Sequence, residues 1–102
     1  ATATSKNGVP IRLTDERWIH IKSSHLEIAD NFLTIMQAVE KPDFILKGDV
    51  GELLAVRKKP GKKLWFVVPY KEVGEQDGFI LTAYLTKDRN WLFQKEIIWN
   101  KK

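Results

Sequence analysis

A chain of 102 residues with 43% hydrophobic and 29% charged side chains can form one domain around one core and is too short for two. It has no cysteine, which excludes disulfides, thiolate nucleophiles and Cys-ligated zinc and fits a cytoplasmic protein; no apolar run approaches the roughly 18 to 20 residues that span a bilayer. The net charge of +4 is uneven: residues 1–51 carry 6 Lys/Arg against 7 Asp/Glu, net −1, and residues 52–102 carry 11 against 6, net +5, so an anionic partner such as nucleic acid would meet the second half.

Residues 1–8, ATATSKNG, lack the basic and apolar regions of a secretory signal and read as a short disordered leader before a single domain over 9–102. Residues 9–13 suit a short strand that Pro10 restricts to a sheet edge. Thr14 is a natural N-cap for a helix from Asp15 to about Ser23, with Asp15 and Glu16 in the first turn where negative charge meets the helix dipole favourably. Phe32, Leu33, Ile35, Met36 and Val39 recur at helical spacing and predict a second helix over 29–40, stopped by Pro42.

Beyond Pro42 the period changes to two. Residues 44–47, 52–58, 64–70 and 78–86 read as four strands, with turn signals at Gly48-Asp49-Val50-Gly51, Pro60-Gly61 and Gln76-Asp77-Gly78. Short loops imply an antiparallel meander. Pro60-Gly61 suits the centre of a type II turn, and Lys58, Lys59, Lys62 and Lys63 give that hairpin a basic tip. Residues 93–99 are ambiguous between a strand and a short helix, and Ile97, Ile98 and Trp99 call for burial. Helices followed by strands indicate an α+β fold, with N-terminal helices packed on one face of a four-stranded antiparallel sheet.

The stretch Asp77 to Thr86, DGFILTAYLT, alternates strictly. As one strand it puts Phe79, Leu81, Ala83 and Leu85 on a buried face and Ile80, Thr82, Tyr84 and Thr86 on an open one. The two threonines and the tyrosine offer hydroxyls to a ligand, or form a plain solvated face. His20 and His25 are five residues apart, about 140° around a helix, which does not match the i, i+4 spacing of a shared metal. No metal or other cofactor is implied. An imidazole with an intrinsic pKa near 6.5 can act as general acid or base; the plain alternative is a surface His20 beside Glu16 and a His25 closing the helix. Tyr70 alternates with Leu64, Phe66 and Val68 and belongs to the core. Trp18, Trp65 and Trp99 sit in apolar contexts, leaving Trp91 as the tryptophan to expect at the surface.

The blocks LTDERWIHIKSSHLE, KPDFILKGDVGE, WFVVPYKE, DGFILTAYLT and KEIIW, taken in order over most of the chain, resemble the phage and cyanobacterial domains of the barnase/EndoU/colicin/RelE-like (BECR) nuclease superfamily. That resemblance implies N-terminal helices on a four-stranded antiparallel sheet and a metal-independent ribonuclease, often a toxin countered by an acidic antitoxin or immunity protein. It maps onto His20, His25, Thr82 and Tyr84 as catalytic positions. Related domains carry Arg and Pro beside the second histidine; Ser24 and Leu26 stand there instead, removing a bidentate clamp for phosphate.

The implied reaction is attack of an RNA 2′-hydroxyl on the adjacent phosphate, leaving a 2′,3′-cyclic phosphate and a free 5′-hydroxyl. His25 or His20 would be base or acid, and Thr82 and Tyr84 would donate hydrogen bonds. Arg57 or Lys58 would supply the cation; they alternate on their strand, so only one shares the open face. Lys63 at the hairpin tip and Thr86 in the hydroxyl stripe complete the substrate-binding candidates. The competing expectation is a catalytically inactive relative that binds RNA or an acidic protein through the same face.

Overall fold

The structure, a computed structural model, describes residues 1–101. Thr14 caps helix α1 (Asp15–Ser24) as the sequence implies, its Oγ1 accepting the Arg17 N–H at 3.1 Å. Ile21 is buried, and Trp18 packs edge-on against Phe32 with ring centroids 5.2 Å apart. The second helix begins at Phe32, three residues later than the spacing predicts. A 3-10 turn (Leu26–Ile28) precedes α2 (Phe32–Glu40), which buries Ile35, Ala38 and Val39 at i, i+3 and i+4 spacing.

The α+β class holds, but among the described residues the sheet has eight strands and is mixed rather than four-stranded and antiparallel. The expected antiparallel core is present: β3 (Phe44–Lys47), β4 (Leu53–Lys58), β5 (Trp65–Glu72) and β6 (Gly78–Ile80) pair in succession. Both flanks extend it. On one side β8 (Ile97–Asn100) pairs with β3 and forms that edge, with helix α3 (Arg89–Phe93) preceding it, so the ambiguous tail contributes to both a helix and a strand. Ile97 and Ile98 remain exposed on β8, contrary to the demand for burial.

On the other flank, β2 (Pro10–Arg12) pairs parallel to β6 and antiparallel to β1 (Thr2–Thr4), which forms the outer edge. Residues 1–8 are therefore not a disordered leader: Ala3 is buried in the core and the Ser5 hydroxyl donates to Glu72 at 2.5 Å. Nor is β2 an edge strand. Pro10 is its first residue, where a missing N–H is tolerated inside a sheet. Gly78 allows this junction, since a Cβ there would lie 2.5 Å from Ile11 Cδ1 and 2.6 Å from the Lys71 carbonyl oxygen.

The single strand expected over 78–86 is split into β6 and β7 (Tyr84–Thr86), both paired with β5. Ile80 pairs with Tyr70 and Tyr84 with Val67, so three residues, Leu81, Thr82 and Ala83, oppose two, Val68 and Pro69. This is a one-residue bulge beside a proline that has no N–H to give, with the Pro69 carbonyl accepting from Leu81 N–H at 2.9 Å. The bulge exchanges faces. Ile80 turns to the core side under α1 and α2, with Ala55, Val68 and Tyr70. Tyr84 lies on the opposite side with Leu54, Val56, Trp65 and Val67. That second side is covered in part by α3, whose Leu92 is fully buried, a transfer of about 1.5 to 3 kcal/mol.

Candidate functional site

The predicted residues separate into two places. At the first, α1 closes on His25, whose N–H donates to the Ile21 carbonyl at 2.9 Å, and the following 3-10 turn packs against β7. This brings the His25 imidazole against the Tyr84 ring, 5.8 Å between centroids and tilted by 35°. His25 Nδ1 lies 3.5 Å from Glu27 Oε2. Tyr84 also meets Trp91 of α3, 6.3 Å between ring centroids, and the Lys95 ammonium sits 5.1 Å from the Trp91 ring centre.

These four side chains make a row of imidazole, phenol, indole and ammonium. Burial, and secondarily the charge of Glu52, push the Tyr84 phenol up from its ordinary value, so at neutral pH it keeps its proton and acts as a donor. The Lys95 side chain is only 13% exposed and meets the 87% exposed Asp49 at 3.3 Å. Trp91 and Lys95 line a hollow of about 600 Å³ with Lys47, Asp49 and Gln94. An acid-base group, a protonated hydroxyl and a largely desolvated cation are the components of phosphoryl chemistry. Among the described residues no group of three or more His, Cys, Asp or Glu is placed to hold a metal ion.

Thr82 lies half-buried in the bulge, two residues before Tyr84. Thr86 has a local role, its hydroxyl accepting from Asp88 N–H at 3.1 Å at the start of α3, while Asp88 Oδ1 caps that helix by accepting from Trp91 N–H at 2.9 Å. His20 is exposed on α1 and lines a separate hollow with Thr14, Glu16 and Arg17. Lys58 is exposed, with its backbone N–H donating to Asp43 at 2.7 Å. Lys63 lies exposed on the basic hairpin, whose turn follows expectation, with Gly61 at φ +72° and Lys62 N–H donating to the Lys59 carbonyl at 3.2 Å.

Arg57 goes to the second place. It donates to the Lys41 carbonyl at 3.0 Å and lines a groove of about 560 Å³ with Lys6, Lys41, Trp99 and Lys101. No described contact joins His20, Arg57, Lys58 or Lys63 to the His25–Tyr84 row. The cation in that row is Lys95, which the sequence did not single out. Lys95 lies two residues past the end of α3, so no local spacing pairs it with Trp91 before the fold is known.

No family model matches the chain, and no curated protein or solved structure matches it. Among the described residues no helix is long and apolar enough to cross a membrane.

Proposed function

We propose that the chain is a metal-independent ribonuclease-like domain that cleaves RNA at the His25–Tyr84 row. The observation that carries this is the imidazole of His25 packed against the ring of Tyr84, with the Lys95 cation on the neighbouring indole. In this mechanism His25 Nε2 takes the proton of the 2′-hydroxyl as its oxygen attacks the adjacent phosphorus. The Tyr84 and Thr82 hydroxyls and the Lys95 ammonium stabilise the phosphorane oxygens. The P–O5′ bond breaks, solvent protonates the departing 5′-oxygen, and the products are a 2′,3′-cyclic phosphate and a 5′-hydroxyl. As a toxin, such a domain would be held inactive by an acidic partner covering this row.

A second reading, a binding module without catalysis, is favoured by one observation: Arg57 lies in a cationic groove whose described lining contains no histidine. Incubation of the protein with labelled tRNA and single-stranded RNA in excess EDTA decides between them. Cleavage with cyclic-phosphate ends, reduced roughly 10²- to 10⁴-fold by His25→Ala and unaffected by His20→Ala, is the expected result. Intact RNA at enzyme concentrations comparable to substrate would leave the binding module standing.

A further inference from the structure

We infer that the groove between Lys6, Lys41, Arg57, Trp99 and Lys101 holds the phosphate backbone of a single-stranded nucleic acid, DNA or RNA, with a base against Trp99. Four cations arrive there from four segments: the β1–β2 loop, the end of α2, the end of β4 and the residue after β8. Like charges gathered in one groove repel one another unless an anion joins them. The nearest carboxylate is shared: Asp43 meets the Lys101 ammonium at 3.3 Å and accepts the Lys58 N–H at 2.7 Å. Arg57 has a neutral partner, the Lys41 carbonyl. Among the described lining residues none is acidic, and Asp43 offsets only Lys101 of the four cations, so Lys6, Lys41 and Arg57 stand there with no described ion pair.

Lys6 is held in place. Its neighbours Ser5 and Asn7 both donate to Glu72, at 2.5 and 2.9 Å, which anchors the loop on either side and sets the Lys6 ammonium 5.0 Å from the Trp99 ring centre. A half-buried indole among cations is the combination that binds single strands: the cations follow the phosphates and the ring stacks on a base, whose face a duplex hides. The basic hairpin at Lys59, Lys62 and Lys63 is the obvious competitor, but among the described residues no aromatic ring lies under its ammonium groups.

Phosphates and base faces are common to both sugars, so the groove accepts DNA as readily as RNA. Cleavage at the His25–Tyr84 row, by contrast, requires a 2′-hydroxyl. A fluorescent oligothymidylate of about 12 nucleotides therefore reports binding without cleavage, the groove variants below assign that binding to the groove, and its failure is distinct from any failure of RNA cleavage. Anisotropy titration of the full chain across salt concentrations should give log K against log salt a slope of about −2 to −3, for three or four phosphates neutralised. Lys6→Ala and Lys101→Ala should each make the slope shallower by about 0.7. Trp99→Leu should weaken binding about 5- to 100-fold with the slope kept, and Trp99→Phe should retain most of the affinity and control for loss of folding.

Three results would overturn the inference. The first is an unchanged affinity and slope in a Lys6→Ala/Arg57→Ala double variant. The second is loss of binding on neutralising Lys59, Lys62 and Lys63 with the groove intact. The third is thymidine triphosphate competing at the same concentration as the oligomer, which would make the site one for a mononucleotide.

Discussion

The His25–Tyr84 row and the Arg57 groove divide what phosphodiester chemistry requires. The row has an imidazole, a protonated phenol and a single cation with low exposure. The groove has four cations and one indole but no imidazole among its described residues. A buried cation acts strongly on nearby charge because water does not screen it, whereas exposed cations hold a polyanion through many weak, salt-sensitive contacts. The first arrangement suits stabilisation of a transition state and the second suits retention of a strand. Sequence order does not reveal this division, since Arg57 belongs to the groove and Lys95 to the row.

The sharpest way to break the comparison is to remove one cation from each place. Lys95→Ala should lower kcat for RNA cleavage roughly 10²- to 10³-fold, the cost of losing one donor aimed at developing charge. Arg57→Ala should act mainly through KM. Single-turnover rates measured at saturating and subsaturating RNA separate the two, and a kcat loss as large for Arg57→Ala as for Lys95→Ala would merge the two places into one site.

A smaller effect should come through the scaffold. Gly78 lies where β2 joins β6, and a methyl group there meets Ile11 and the Lys71 carbonyl, backbone that cannot simply rotate away. Gly78→Ala should therefore destabilise the fold by about 1 to 3 kcal/mol in urea denaturation. The β1–β2 unit that carries Lys6 joins the sheet through this junction, beside its packing on α2, whereas β7 pairs with β5 independently of it. Oligonucleotide binding should consequently fall in this variant at temperatures where RNA cleavage persists. Equal loss of both would show that the two regions unfold together.

Much of this architecture was legible because it depends on local chemistry. Thr14 as a cap, Pro60-Gly61 as a type II turn, the antiparallel core and buried Tyr70 all follow from residue type and spacing. What was not legible depends on pairing. Alternation through DGFILTAYLT gave no sign of the bulge opposite Pro69, because the proline that provokes it lies on another strand. The face exchange that separates Ile80 from Tyr84 was hidden for the same reason. Residues 1–8 are polar enough to look unstructured, and only the burial of Ala3 and the Glu72 contacts to Ser5 and Asn7 show why they are ordered. In the site, His25 and Tyr84 were named from sequence and do meet; Lys95 and the groove partners Lys6 and Lys41 required the fold.

The two tyrosines sharpen the contrast between a working hydroxyl and a structural one. Tyr70 is fully buried, and its hydroxyl has no hydrogen-bond partner among the described residues. Burial, and secondarily the charge of Glu72, hold its phenol far above the ordinary tyrosine value; Tyr84 shifts in the same direction. In the unfolded chain both would titrate near pH 10. The folded state therefore retains protons that the unfolded state releases, so stability is fully present below about pH 10 and is lost as pH rises toward the folded values. Tyr70→Phe should reduce that alkaline loss, and it should also raise stability at neutral pH by about 1 kcal/mol by deleting an unsatisfied buried hydroxyl. Urea midpoints at about pH 7 and pH 10.5 test both effects. A neutral-pH loss would mean that a bound water satisfies the hydroxyl. Tyr84→Phe should behave oppositely, with little change in the midpoint at neutral pH and a clear loss of RNA cleavage, because in the proposed mechanism its hydroxyl donates to the phosphorane.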